Sequence, residues 1–408
     1  MRRAGLRAIA LVGFLHLAFQ PIQAHAQITA PREAAQIQLG PASLYPTLQL
    51  VDAGKDRNVF NDGQDEKEDY TFTVQSRLLA VVRLGLNELL FMSGSDYVWF
   101  QEYATERSTD AHYAVRFNLS ASRLKPFFGA EHVRASSRPS REIDVRARRL
   151  GRAALAGLGV ELTPRTSLTA SVRVDQLSYE DGQAFRGVAL DDSLSRTGRS
   201  ANAGVRYAVT PLTTLVVLGG YEEQTFPDSH VRDARIYTLA PTVEFAPEAA
   251  IRGRATAGIE VFRPIGENLD EYVGSMYELA LNWSLYGRTT FDLTGTRNVS
   301  YSYLDTEPYY LSTNVRLTVG QPLFGPLDVH GSYEWEQMSY RWRRGIAPSP
   351  GEVNRIDTLN VGSAGFGVHL GRGFRVRVGV ERTRRRSIED PRQNFERTRL
   401  LSAITIGS

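Results

Sequence analysis

From Met276 to Val299 the chain alternates apolar and polar residues. Tyr277, Leu279, Leu281, Trp283 and Leu285 fall on one phase; Glu278, Ala280, Asn282, Ser284 and Tyr286 fall on the other. Successive side chains of a strand point to opposite faces, so a period of two predicts a strand with one oily side, not a helix. Tyr286-Gly287-Arg288-Thr289 reads as a tight turn, after which Phe291 and Leu293 alternate with Asp292, Thr294, Thr296 and Asn298. The stretch predicts a β-hairpin. Its arms of about a dozen residues slightly exceed the 9–11 that a tilted strand uses to cross a bilayer.

The unit recurs along the chain. The pattern predicts strands near 44–60, 69–82, 87–100, 111–122, 126–137, 150–162, 167–180, 197–210, 212–225, 234–246, 250–263, 272–285, 288–301, 309–320, 326–341, 357–370, 374–385 and 394–407. In 126–137 and 150–162 apolar residues occupy both phases. Connections alternate between short turns, such as Thr163–Thr166, Thr210–Thr213, Ala246–Ala249 and Gly371–Gly373, and longer polar segments, such as Asp181–Arg196 and Arg343–Ile356. Proline in the short turns presets φ and blocks strand continuation. Short periplasmic turns and long outer loops are the habit of outer-membrane barrels. The fold class expected is therefore all-β: a transmembrane antiparallel up-and-down β-barrel of about 18 strands, with both termini in the periplasm. A repeat of roughly 36–48 residues would also suit a propeller, but propeller blades hold four short strands rather than two long ones.

Composition agrees. Hydrophobic residues make up 42% of the chain, and no apolar run of about 18 residues follows the N-terminus, which excludes helical spans. There is no cysteine, so neither a disulfide framework nor a thiolate metal site exists. Residues 1–26 read as a signal peptide: Arg2, Arg3 and Arg7, the apolar stretch Ala8–Phe19, and Ala24-His25-Ala26 before cleavage at Gln27. Losing those three arginines takes the formal charge from +3 to zero, so nucleic acid is not an implied partner. Residues 27–43 are expected to form a short periplasmic segment, and 44–408 the barrel in the bacterial outer membrane.

Catalytic motifs are missing: there is no H-E-x-x-H, G-x-S-x-G or P-loop, and neither a cofactor nor a metal is expected. The acidic run Asp62–Asp69 reads as a solvated loop, and His112, His132, His230, His330 and His369 as scattered polar side chains. Tyr97, Trp99, Phe100, Tyr103, Tyr301, Tyr303, Tyr309, Tyr310, Tyr333, Trp335, Tyr340 and Trp342 gather at loop ends and suggest an outer aromatic girdle. The informative set is the polar phase. Arg116, Arg173, Arg206, Arg252, Arg254, Arg316, Arg375, Arg377, Arg397 and Arg399 are expected to line the lumen, with Glu260, Glu278, Asp328, Glu334, Glu336 and Glu381. A cationic side chain facing lipid at mid-bilayer would cost about 2–4 kcal/mol. Such charges either pair across strands and hydrate the interior, or form an arginine stripe that guides an anionic or sugar solute.

Leu44-Tyr45-Pro46-Thr47-Leu48-Gln49-Leu50 and Asp56-Arg57-Asn58-Val59-Phe60 open the barrel, and Asn394-Phe395-Glu396-Arg397-Thr398-Arg399-Leu400 begins its last strand. In these motifs the chain resembles the outer-membrane β-barrel porin family associated with exopolysaccharide export clusters. One departure is the end, Ile404-Thr405-Ile406-Gly407-Ser408, which lacks the aromatic residue read by the barrel assembly machinery. The resemblance implies export of a surface polysaccharide, with a periplasmic polysaccharide-export protein as partner and outer-membrane lipid and lipopolysaccharide as surroundings. Two other readings stay open: a diffusion porin for small solutes, with Asp181–Arg196 as its constriction loop, and a plugged structural or adhesive barrel, closed by loops such as Arg343–Ile356.

Overall fold

The computed structural model describes residues 35–266, 269–343, 354–371 and 373–407. The expected signal peptide and residues 27–34 of the lead-in lie outside them, as do residues 344–353 of the Arg343–Ile356 loop. Eighteen long strands run in chain order: β1 (Ala42–Asp56), β2 (Asp69–Leu84), β3 (Asn87–Phe100), β4 (Ser108–Asn118), β5 (Leu124–Ser137), β6 (Ala147–Glu161), β7 (Thr166–Tyr179), β8 (Arg196–Thr210), β9 (Thr213–Thr225), β10 (Ala234–Phe245), β11 (Ile251–Pro264), β12 (Tyr272–Leu285), β13 (Thr289–Tyr301), β14 (Tyr309–Pro322), β15 (Leu327–Arg341), β16 (Ile356–His369), β17 (Phe374–Ser387) and β18 (Phe395–Ile406). Each pairs antiparallel with the next. β1 also pairs with β18, from Leu48↔Ile406 to Asp56↔Arg399, which closes the cylinder. A further strand, Ile37–Leu39, folds back on β1. The predicted strands are all present, mostly within three residues of their expected ends.

One phase of each strand forms the outer wall. Val172, Val174, Leu239, Ile259, Val273, Phe366, Val378 and Leu400 are all more than half exposed, as a lipid-facing surface requires. Trp283 and Phe291 stack across β12 and β13 with ring centroids 5.0 Å apart.

The closing seam carries a β-bulge. The register of β1 shifts between Leu50 and Ala53 against β18, and between Val51 and Gly54 against β2; Asp52 takes φ 53°. A β-carbon at Gly54 would collide with the Leu400 carbonyl oxygen. The extra residue reverses the alternation. Leu48 lies on the outer phase before the bulge, whereas after it Lys55 faces out beside Tyr70 and Asp56 is buried inward.

The apolar core sits inside the barrel, at the end bearing the long loops. Ile143, Leu177, Tyr179, Phe185, Leu190, Leu194 and Tyr303 form one cluster. Phe262, Leu269 and Tyr309 form a second, and Tyr310, Met338 and Tyr340 a third. This corrects the girdle expectation. Phe100, Tyr303, Tyr309, Tyr310 and Tyr340 are buried under the loops, while Tyr97 and Tyr333 stay exposed on the outer wall. Long loops lying over the mouth give these rings something to pack against, so they exclude water there instead of settling among headgroups.

Candidate functional site: a charged lumen crossed by a loop

The inward phase carries many charged residues, most of them in local pairs. On the β4–β7 side Arg173 meets Glu131 at 3.3 Å and Asp175 at 3.4 Å, while Arg116 donates to Asn118 at 2.9 Å and lies over the Phe127 ring. Arg206 meets Glu244 at 3.0 Å. Arg254 pairs with Glu278, and Arg252 donates to Asn282. Glu260 accepts the Val299 N–H at 3.1 Å, where the β12–β13 ladder has already ended at Tyr277↔Arg297.

On the other side Glu334 receives Arg316, through Nε at 3.0 Å, and Asn314 at 2.8 Å; Glu336 accepts from Ser312 at 3.0 Å. Asp328 binds Arg375, through Nε at 3.2 Å, and Glu381 binds Arg399 at 3.0 Å. Arg397 is paired with Asp56. Arg377 differs: among the described residues no carboxylate lies within ion-pair reach of it. Apart from Arg377, these residues thus form separate local contacts around the wall and do not converge on one point. Asp292, Thr294 and Asn298, on the inward phase of β13, are exposed, so solvent reaches the interior there. A wall of about 18 strands encloses room for such an aqueous space.

A loop that the alternation did not single out crosses the lumen. Residues 138–146, between β5 and β6, fold into the lumen. Arg141 reaches Glu334 on β15 at 3.1 Å, and so spans the barrel to a strand ten positions further round the wall. The neighbouring backbone is pinned as well: Arg385 of β17 donates to the Arg141 carbonyl at 2.9 Å, and Arg138 to the Val59 carbonyl at 2.6 Å. Glu142 is fully buried, accepting from the Ser302 hydroxyl at 2.8 Å with Arg355 at 3.9 Å. Burial pushes its carboxyl up to about 7, against the opposing pull of Arg355, Ser302 and Arg385. Asp144, 3.4 Å from Arg385, is also raised, chiefly by burial. Beneath them Asp357 accepts from Arg355 at 2.7 Å and from Arg385 at 2.6 Å.

The expected constriction, Asp181–Arg196, lies elsewhere. It carries a short helix, Leu190–Leu194, packed in the apolar cluster at the mouth, and its Arg186 reaches Asp390 at 3.0 Å. It roofs the crossing loop; Arg138–Arg146 makes the crossing. The available sequence signal was the run Arg138…Arg141-Glu142-Ile143-Asp144, four charges and one isoleucine. That pattern suits a segment with partners on several sides better than a solvated loop. Arg355, Asp357 and Arg385 escaped notice because their roles depend on this loop. The acidic segment is likewise partly structural: the buried Asp69 accepts the backbone N–H groups of Gln101, Glu102 and Tyr103.

A closed barrel with a lipid-facing wall, a charged interior and an inward loop is an outer-membrane channel of the porin class. The chain belongs to the family described as "Putative beta-barrel porin 2", whose family model matches residues 30–406. Among solved structures it is similar to Pseudomonas aeruginosa OpdK with vanillate, at 12% identity and TM-score 0.48 over 90% of this chain and 99% of that one. P. aeruginosa OccK2 (OpdF) in complex with glucuronate aligns at 13% identity and TM-score 0.48, over 89% and 98%. A BenF-like porin from Pseudomonas fluorescens Pf-5 aligns at 12% and 0.47, over 91% and 100%. No curated protein sequence matches the chain.

Proposed function

We propose that this channel passes small polar solutes by diffusion, and that the loop 138–146 is its constriction. The single observation carrying this reading is the Arg141–Glu334 contact, which takes a loop from one wall to the other. The paired charges below it keep the interior wet without a large fixed field of one sign. Export of an exopolysaccharide, which the family resemblance brought, finds no support in the comparisons. A polymer would have to displace the apolar clusters and the Glu142–Arg355–Asp357–Arg385 network that occupy the loop end of the lumen.

Planar-bilayer recording tests the proposal. Wild-type protein should conduct in small steps, and Arg141→Ala or removal of residues 139–145 should enlarge them. No conductance from either would instead favour a plugged structural barrel. A gene-deletion strain separates the export reading: normal polysaccharide secretion counts against it.

A further inference from the structure

We propose that the outer face at the closing seam binds phosphate groups of an outer-leaflet glycolipid of the lipopolysaccharide type, through Arg382, Arg384 and Arg386 of β17 with Lys55 and Arg57 beside them. The proposal needs only the lipid-facing wall and is independent of what the lumen carries.

The run Arg382-Thr383-Arg384-Arg385-Arg386 splits by alternation. Thr383 and Arg385 are buried inward, whereas Arg382, Arg384 and Arg386 are exposed on the outer phase. Below them the same phase holds Phe374, Val376, Val378 and Val380, which face lipid. The change from apolar to cationic falls within one residue pair on β17 and β1, on either side of β18. Val380 pairs with Leu400, and Leu400 with Lys55; one step higher, Arg382 pairs with Thr398, whose carbonyl accepts the Arg57 N–H at 3.1 Å. Arg382 is eight residues beyond Phe374. At about 3.3 Å per residue and a tilt of about 40°, it stands roughly 20 Å above the periplasmic end of the strand, near the top of an apolar band about 25 Å tall. Arg384 and Arg386 lie above it, at headgroup depth.

The charge there is unbalanced. Glu396 serves both Arg382, at 2.6 Å, and Arg384, at 3.2 Å; Glu68 serves Lys55, at 2.8 Å. Among the described residues Arg386 and Arg57 have no ion-pair partner, so five cations face two carboxylates. Elsewhere on the outer wall Arg235 pairs with Glu223 at 3.0 Å and Arg263 with Glu271 at 2.9 Å, while Arg134, Arg152 and Arg199 are exposed singly, not as three successive outward positions of one strand. Alternate residues of a strand stand about 7 Å apart. Three guanidinium forks at that spacing, above an apolar wall, match a ligand with phosphates at its head and acyl chains below.

The test uses the full chain purified from outer membranes in mild detergent, with binding of bisphosphorylated lipid A read by native mass spectrometry. R382Q/R384Q/R386Q should bind roughly 100-fold more weakly, at about 1 kcal/mol per surface cation. The triple lysine variant should keep most of the affinity, and R235Q/R263Q all of it. Dephosphorylated lipid A should bind wild-type protein as weakly as the triple glutamine variant binds the phosphorylated form, and phosphatidylglycerol should not compete. Heat-modifiable electrophoretic mobility reports folding. If the triple variant does not fold, R386Q alone, which breaks no ion pair, should still weaken binding several-fold. Unchanged binding by the glutamine variants, or equal binding of dephosphorylated lipid A or phosphatidylglycerol, overturns the proposal.

Discussion

Asp56 and Arg397 lie 341 residues apart in the chain and meet across the seam that joins the first strand to the last, with Arg397 Nε 2.9 Å from Asp56 Oδ2. The neighbouring Asn58 is fully buried and donates to the Glu396 carbonyl at 3.0 Å. The two motifs that carried the family resemblance, Asp56-Arg57-Asn58-Val59 and Glu396-Arg397, are therefore the two halves of one clasp.

Breaking that clasp from one side should be costly. Among the described residues, Asp56→Ala leaves the Arg397 guanidinium with only the Asn61 side-chain oxygen, at 3.2 Å, as a hydrogen-bond partner. Removing one member of a buried pair costs about 3–5 kcal/mol. Urea unfolding in micelles should show a drop of that order for Asp56→Ala and less for the double variant Asp56→Ala/Arg397→Met. An unchanged midpoint would mean that the backbone ladder alone holds the seam.

Asp328 and Arg375 are two strands apart and meet over Gly367 of the intervening β16. A β-carbon there would lie 2.5 Å from one Asp328 oxygen and 2.6 Å from the other. Gly367→Val should force the carboxylate aside and destabilise the barrel by about 1–3 kcal/mol. It should also shift the channel's ion preference, since it releases Arg375. A variant with wild-type stability and selectivity would show that the pair does not depend on this gap.

Arg377 is the inward cation without a carboxylate partner among the described residues. Arg377→Glu should move the reversal potential in a KCl gradient toward cation preference, whereas Arg254→Gln, which breaks an existing pair, should move it less. Equal shifts for both would remove any special standing of the lone arginine.

The crossing loop should respond to pH. Glu142 is raised to about 7 when seated, against about 4.3 in an unfolded or released loop. The seated form then holds the extra proton between those values, so seating is strongest below about pH 4.3, weakens as pH rises to about 7, and stays flat above. Asp144 and Glu307, both raised chiefly by burial, act in the same direction. Protease cleavage within 138–146 should be faster at pH 8 than at pH 5, and Glu142→Gln should flatten the difference. Faster cleavage at pH 5 would reverse the sign and refute the account.

The period-two alternation, the turn prolines and the alternating connection lengths were enough by themselves to determine an outer-membrane barrel of this strand number. They also placed Arg375 and Arg377 on the phase opposite Val376 and Val378. Such information is local: each strand reports its own two faces, and a lipid-facing wall punishes any slip in phase. Only the tertiary structure decided which charges neutralise which, because Arg141 and Glu334 are neighbours only once the cylinder has closed and the loop has dropped in. The bulge at Val51–Gly54 shows the limit most clearly. Strict alternation from Leu48 and Leu50 sends Asp56 outward, and one extra residue, accommodated where Gly54 passes the Leu400 carbonyl, turns it inward to Arg397. Whether a strand carries that extra residue depends on the strands beside it, and those neighbours are set by closure of the sheet.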